Sequence, residues 1–135
     1  MFIVKKTGRF EACHQLSGDI FTDQCKNLHG HSWVVTVEIS TERIEFDTGM
    51  AIDFGIIGHI LKQFDHQFLN DLKFFQEDTP PTAENICTTI AGLLRQELEK
   101  ITGTHAVLSV TVQETPNNIV TYRPISLKAY QEGRR

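Results

Sequence analysis

The chain has 135 residues, enough for one domain with a buried core that needs no disulfide support. Hydrophobic residues make up 40% and charged residues 22%, and no apolar run approaches the roughly 20 residues of a membrane-spanning helix. The formal net charge of -4 argues against a general nucleic-acid binder, because binding to a phosphate backbone needs a concentrated basic surface. We expect one soluble domain over residues 1–135, with neither nucleic acid nor membrane as a partner.

Cysteine usage and the first residues favour a cytoplasmic location. The N-terminal stretch lacks the basic start, apolar run and cleavage site of a secretory signal. The three cysteines, Cys13, Cys25 and Cys87, are an odd number at irregular spacing, which is poor material for a disulfide framework. Cys13 and Cys87 are interpreted as small apolar residues of the core.

The first predicted strand covers Phe2–His14, with a turn expected near Gly8. Its second half alternates, so that three residues share the face predicted to be buried: Phe10, Ala12 and His14. Residues 15–28 have mixed polarity and neither a strand nor a helix period, which indicates a loop.

The second predicted strand, residues 29–46, carries the clearest alternation in the chain. Its apolar face holds His29, His31, Trp33, Val35, Val37 and Ile39. Two histidines are therefore expected on the same side of one strand, facing the core.

Two helices are predicted in the middle of the chain. Asp53 is the expected N-cap of the first, which delivers Asp65 and His66 at its C-terminal end. The buried stripe of this helix is Ile56, Ile57, Ile60, Leu61 and Phe64. A pair of prolines precedes the second helix, which Thr82 caps and Gly103 ends. Its stripe includes Ile86, Ile90, Leu93, Leu94, Leu98 and Ile101.

Two last strands are predicted at residues 107–114 and 119–122, and the alternation of the first places Glu114 on its core side. Because paired strands come first and last with helices between, the order is strand-strand-helix-helix-strand-strand. This order favours an α+β fold, a four-stranded antiparallel sheet with both helices on one face, over a doubly wound parallel fold. The two open edges of such a sheet predict self-association.

The histidines are the clearest candidates for chemistry. His29 and His31 lie on one face of a strand, roughly 6 to 7 Å apart at the backbone, and a hairpin of the first two strands would bring His14 beside them. Each histidine alone is equally explained by a hydrogen-bonded side chain in a half-buried strand. The three together favour zinc, and three protein ligands leave a fourth position open, as catalytic zinc sites do.

Each of the other candidates has a functional interpretation and a nonfunctional one. Cys25 lies in a polar loop four residues before His29 and is either a general base or an incidental cysteine. Asp65 and His66 are either a proton-transfer pair or surface residues at a helix end. Glu114 is either solvated at a strand end or an anchor for two parallel N–H groups, such as the amino-pyrimidinone edge of a pterin or guanine.

Six motifs in order resemble one family over nearly the whole chain. They are Phe10-Glu11-Ala12-Cys13-His14, Cys25-x-x-x-His29-Gly30-His31, Gly49-Met50-Ala51-Ile52-Asp53-Phe54, Asp65-His66-x-x-Leu69-Asn70, Pro81-Thr82-x-Glu84-Asn85 and Glu114-Thr115. The set resembles the 6-pyruvoyl-tetrahydropterin synthase and 6-carboxytetrahydropterin synthase family.

The resemblance implies a zinc ion on His14, His29 and His31. It also implies the family's tunnelling fold (T-fold), in which subunits join their sheets into a barrel. Such a barrel would be a homohexamer made of two trimers, with active sites at subunit boundaries, and would cover the open sheet edges.

The resemblance further implies roles for five side chains. Cys25 would be the base that abstracts a proton, and Asp65 with His66 would form the proton relay. Glu114 would grip the pterin ring, with help from Thr82.

The spacing before the H-G-H motif separates branches within the family. Three residues, Lys26-Asn27-Leu28, separate Cys25 from this motif, as in proteins resembling the carboxytetrahydropterin synthases of queuosine biosynthesis; the pyruvoyl enzymes have five. The implied lyase reaction converts 7,8-dihydroneopterin triphosphate to 6-carboxytetrahydropterin, acetaldehyde and triphosphate. Two alternatives stay open: a pyruvoyl-type synthase, which eliminates triphosphate and keeps the carbon chain, and a noncatalytic pterin- or zinc-binding module.

Overall fold

A computed structural model of the chain describes residues 1–20, 22–102 and 107–124. The described residues form β1 (Phe2–His14), β2 (His29–Thr41), α1 (Phe54–Lys62), β3 (Gln67–Phe68), α2 (Ala83–Thr102), β4 (Val107–Thr115) and β5 (Asn118–Tyr122). Two short 3-10 turns, Asp23–Lys26 and Leu69–Asp71, lie in the connections. The predicted order of strands and helices is confirmed, with one short strand added between the helices.

The strands form one sheet in the order β3-β1-β2-β4-β5. The pairs β1–β2, β2–β4 and β4–β5 are antiparallel, whereas β3 runs parallel to β1 beside Ala12 and Cys13. The predicted antiparallel arrangement is therefore confirmed for the four long strands. The prediction of only four strands was wrong, because a two-residue strand is too short to show alternation in the sequence.

The bounds of β1 and β2 differ from the prediction at two points. The turn expected near Gly8 is absent, and Gly8 lies within the ladder opposite Val35. β2 ends at Thr41 rather than residue 46, because the chain turns where β1 has no further residue to pair. Oγ1 of Thr41 stabilises this turn by accepting a hydrogen bond from the backbone N–H of Arg43 at 3.0 Å.

Both predicted helix caps are confirmed. The carboxylate of Asp53 accepts a hydrogen bond from the backbone N–H of Gly55 at 2.8 Å, and Oγ1 of Thr82 accepts one from Asn85 N–H at 3.2 Å. These caps satisfy N–H groups that have no partner within the first turn of a helix. No helix among the described residues has the length and apolar character to cross a membrane.

Both helices cover the same face of the sheet, α1 over β1 and α2 over β4 and β5. The buried helix side chains follow the predicted stripes and include Ile57, Ile60, Leu61, Ile86, Ile90, Leu94 and Leu98. They pack on a sheet face whose centre is Trp33, which is fully buried. The side chain of Ile101, and Gly103 as the helix end, lie outside the described residues.

The contact between α1 and β1 generates a stability prediction at Gly8. A Cβ atom at Gly8 would lie 2.6 Å from Cδ1 of Leu61, a core side chain that is 3% exposed. A methyl group in the interior of a strand would otherwise favour the folded state. We expect Gly8→Ala to lower the free energy of unfolding by about 1–3 kcal/mol, measured by urea denaturation, because overpacking a close core contact is costly.

The matched control is Gly92→Ala on α2. Nothing lies within 4 Å of a Cβ atom built there, and Gly92 is in a helix. This variant should gain about 0.5–1 kcal/mol from helix propensity. If Gly8→Ala and the unsubstituted protein had the same free energy of unfolding, the side chain of Leu61 would move aside without a loss of stability, and the prediction would be wrong.

Candidate metal centre

Four side chains converge where β1, β2 and β4 meet: His14, His29, His31 and Glu114. One potential ligand atom from each lies within 4.8 Å of all the others. The Nε2 atoms of His14 and His29 are 3.0 Å apart, and Oε1 of Glu114 lies 3.4 Å from Nε2 of both His14 and His31. We call the three imidazoles the histidine cluster.

Strand register brings the histidine cluster together. His14 is the last residue of β1 and lies directly opposite His29, the first residue of β2. His31 follows on the same face because side chains alternate along a strand. Trp33, the next residue on that face, makes edge contacts with the rings of His14 and His31, each with centroids 5.1 Å apart.

Backbone carbonyls orient two of the imidazoles. Nδ1 of His14 is 2.8 Å from the carbonyl oxygen of Pro81, and Nδ1 of His29 is 2.6 Å from that of Asn27. A carbonyl oxygen only accepts hydrogen bonds, so each Nδ1 carries the proton and donates it. Each Nε2 is then left with a free lone pair that points into the cluster, which is how metal-binding histidines are commonly oriented.

The protonation states of the cluster also suit a metal ion. Burial, the largest cause, lowers the pKa of His31 against the opposing effect of Glu114. A neutral imidazole and an ionised carboxylate are the forms in which these groups bind metals.

One buried nitrogen in the cluster lacks a partner. Nε2 of His31 makes no hydrogen bond within the described part of the chain, although Glu114 lies near it. Such an atom is costly to bury unless something else satisfies it. The orphaned nitrogen, the converging lone pairs and the N/O donor set together fit a divalent ion such as zinc.

A cavity of about 380 Å³ adjoins the cluster, and we call it the Thr82 cavity. Its walls include Thr82 and Ala83 at the start of α2, Asn117 and Asn118 at the start of β5, and Glu114. The structure therefore brings together Glu114 and Thr82, the two side chains predicted to hold a ring. Glu114 is shared between the cavity and the cluster.

Asp65 and His66 pair with each other at the edge of β1, next to β3. Oδ2 of Asp65 lies 2.9 Å from Nδ1 of His66, and Oδ1 of Asp65 accepts a hydrogen bond from Glu11 N–H at 2.8 Å. The hydrogen bond from the Glu11 backbone, followed by the one from the His66 side chain, holds the pKa of Asp65 below its ordinary value. The side chain of His66 is 80% exposed, so one face of the pair is free for a further group.

Cys25 does not join the four converging side chains. It lies, half-buried, in the 3-10 turn Asp23–Lys26. Its carbonyl oxygen accepts a hydrogen bond from Leu16 N–H at 2.9 Å, which fixes the turn beside the residues that follow His14. The structure thus places the predicted base in the neighbouring loop.

Two polar residues that no functional prediction included fix this loop. Asn70 donates to the carbonyl of Gln15 at 2.8 Å and accepts from its N–H at 2.9 Å. The side chain of Gln15 in turn donates to the carbonyl of Lys26 at 2.8 Å. Asn70 was part of a family motif, but only the fold shows that it acts on the backbone beside His14.

Comparisons with known proteins agree on one family. A sequence model described as 6-pyruvoyl tetrahydropterin synthase matches residues 3–125. The 6-pyruvoyl tetrahydrobiopterin synthase of Drosophila melanogaster is 34% identical over 129 residues, which cover 84% of this chain and 74% of the relative. The 6-carboxy-5,6,7,8-tetrahydropterin synthase of Synechocystis is 32% identical over 130 residues, which cover 90% of this chain and 93% of the relative.

A solved structure gives the same result for the fold. The 6-pyruvoyl tetrahydropterin synthase of Caenorhabditis elegans superposes with a TM-score of 0.68 at 26% sequence identity. The match covers 92% of this chain and 96% of that one. The predicted T-fold is thereby confirmed at the level of the single chain.

The cluster generates a metal-binding prediction. We expect His29→Ala to weaken zinc binding at least about tenfold, because it removes one of the converging nitrogens. The measurement is competition for zinc against a chromophoric chelator. The matched control is His59→Ala, since His59 is an exposed residue of α1 outside the cluster. If both variants bound zinc equally well, the histidine cluster would not be the metal site.

Proposed function

The chain belongs to the 6-pyruvoyl tetrahydropterin synthase family, and on this premise we propose that it is a zinc-dependent 6-carboxy-5,6,7,8-tetrahydropterin synthase. The proposed substrates are 7,8-dihydroneopterin triphosphate and water, and the products are 6-carboxytetrahydropterin, acetaldehyde and triphosphate. This is a carbon-carbon lyase reaction of queuosine biosynthesis. One observation carries the proposal: Glu114 borders both the histidine cluster and the Thr82 cavity, so an anchor for a ring lies beside a metal centre.

The Thr82 cavity supplies the proposed ring site. An ionised carboxylate has two acceptor oxygens that match the parallel N–H groups on the amino-pyrimidinone edge of a pterin. Glu114 therefore orients the ring, and Thr82 lines the same cavity.

The histidine cluster would hold zinc, which as a Lewis acid polarises the hydroxyl groups of the pterin side chain. Cys25 is the proposed base that removes a proton from this side chain. Asp65 fixes His66 through Nδ1, which leaves Nε2 of His66 to accept or return the next proton. These roles follow the family resemblance.

The choice of product depends on the spacing of Cys25 from the H-G-H motif. Three intervening residues are typical of the carboxytetrahydropterin branch of the family. The pyruvoyl reaction is the second candidate, because the Drosophila and Caenorhabditis relatives carry that name. Both reactions begin with the same substrate and use the same ring and metal sites, so the site geometry supports both.

Product mass distinguishes the two reactions. We expect the zinc-loaded protein, incubated with 7,8-dihydroneopterin triphosphate, to form 6-carboxytetrahydropterin and acetaldehyde, detected by mass spectrometry. A pyruvoyl product would replace the first candidate by the second. Unchanged substrate would favour the noncatalytic module instead.

Cys25 can be tested in the same assay. Cys25→Ala should keep its zinc content and lose at least about a hundredfold in turnover, because general bases contribute rate factors of this size. Cys13→Ala is the matched control, since Cys13 is a half-buried thiol on β1 outside the cluster. Full turnover by Cys25→Ala would remove it from the mechanism.

We also propose assembly into a homohexamer, a dimer of trimers. The sheet of one chain has open edges: among the described residues, β3 pairs with only Ala12 and Cys13 of β1. Ile3 on β1 and Ile119 on β5 are 61% and 57% exposed. Pairing between copies would cover these edges. Native mass spectrometry should show six chains, and a monomer would contradict the proposal.

A further inference from the structure

Glu114 lies between the histidine cluster and the Thr82 cavity, and its carboxylate cannot bind a metal ion and hold a ring with both oxygens at the same time. Its Oε1 lies 3.4 Å from Nε2 of His14 and of His31, yet its side chain also borders the Thr82 cavity and is a quarter exposed. The strand places it at the boundary between the metal centre and the proposed ring site. Its orientation in this structure is toward the imidazoles.

The position of Oε1 is that of a fourth ligand. Two atoms bound to one tetrahedral zinc at about 2.0–2.1 Å lie about 3.3 Å apart. The separations of 3.4 Å to His14 and His31 agree with this value, and the two imidazole nitrogens of His14 and His29 are 3.0 Å apart. With Glu114 included, the site offers four potential protein ligands, whose atoms all lie within 4.8 Å of one another.

A closed site conflicts with ring binding by the same carboxylate. A carboxylate oxygen that is bound to a cation is a poorer hydrogen-bond acceptor. The two parallel N–H groups of a pterin need both carboxylate oxygens to face them. Full engagement of the ring therefore requires Glu114 to turn away from the imidazoles. Glu114 already lines the Thr82 cavity, where the ring is proposed to bind.

We propose that Glu114 is a metal ligand while the Thr82 cavity is empty and leaves the metal when a pterin ring enters. The fourth coordination position then opens only in a molecule that already holds its ring. This inference rests on the proposed function for the identity of the ring. It adds that ring recognition and metal availability compete for one carboxylate.

Competition for Glu114 predicts the sign of the coupling between ring binding and metal binding, which can be measured. If the ring takes a ligand from the metal, ring binding weakens metal binding, and by linkage the metal weakens ring binding by the same factor. Independent sites would show no such coupling. A ring that itself ligated the metal would show coupling of the opposite sign.

The test measures zinc affinity by chelator competition, with the full chain and unsubstituted pterin, which has no side-chain hydroxyl groups. Glu114→Gln should bind zinc at least about tenfold more weakly than the unsubstituted protein. Saturating pterin should weaken zinc binding several-fold in the unsubstituted protein and leave it unchanged in Glu114→Gln. The visible spectrum of the cobalt-loaded protein should shift with pterin toward that of cobalt-loaded Glu114→Gln.

Glu84→Gln is the matched control, because Glu84 is an exposed carboxylate on the wall of the same cavity and lies outside the converging set. It should keep the zinc affinity of the unsubstituted protein, which separates ligation from a general loss of negative charge. The proposal that Glu114 moves from the metal to the ring would be contradicted if Glu114→Gln bound zinc as tightly as the unsubstituted protein. It would also be contradicted if pterin strengthened zinc binding in the unsubstituted protein or left it unchanged. Product formation from dihydroneopterin triphosphate, assayed on the same preparation, decides the proposed function separately.

Discussion

The pairing of β1 with β2 is the constraint on which the site depends. Their ladder places His14 opposite His29 and leaves His31 two residues further along the same face. Side chains alternate with a period of two, so a slip of one residue would turn one strand's histidines away from the other's. The register is held by a core face on which Trp33 and Phe10 stack, with ring centroids 5.8 Å apart. The hydrophobic packing that stabilises the sheet therefore also sets the spacing of the imidazoles.

The same packing limits the motion of the histidine side chains. Trp33 contacts two of the rings, and its own Nε1–H donates to the carbonyl of Ala12 at 3.2 Å. His14 is fully buried and is tied to Pro81, just before α2. The histidine cluster is thus attached to the sheet on one side and to the start of α2 on the other. Rigid support of this kind reduces the cost of ordering ligands when an ion binds.

How much of the site could be predicted from the sequence depends on whether a feature is local. The faces of the three histidines and of Glu114 follow from alternation, which is a property of each strand. The carbonyl groups of Pro81 and Asn27, which orient two imidazoles, have no sequence signal because any residue has a carbonyl. The approach of Glu114 to the cluster depends on how β4 pairs with β2. That pairing is non-local, so the sequence suggested a ring anchor but gave no indication of its contact with the histidines.

The segment that carries Asp65 and His66 shows how a short strand can hold reactive side chains. Glu11 on β1 makes two backbone hydrogen bonds with this segment: its N–H donates to Asp65 Oδ1, and its carbonyl accepts from His66 N–H at 2.6 Å. His66 adopts a left-handed backbone, with φ of 57°, which few non-glycine residues do without compensation. The bonds to Glu11 supply that compensation and turn the chain from α1 into β3. Because Asp65 Oδ1 is occupied by the backbone of β1, Oδ2 faces His66, so the sheet edge itself sets the orientation of the pair.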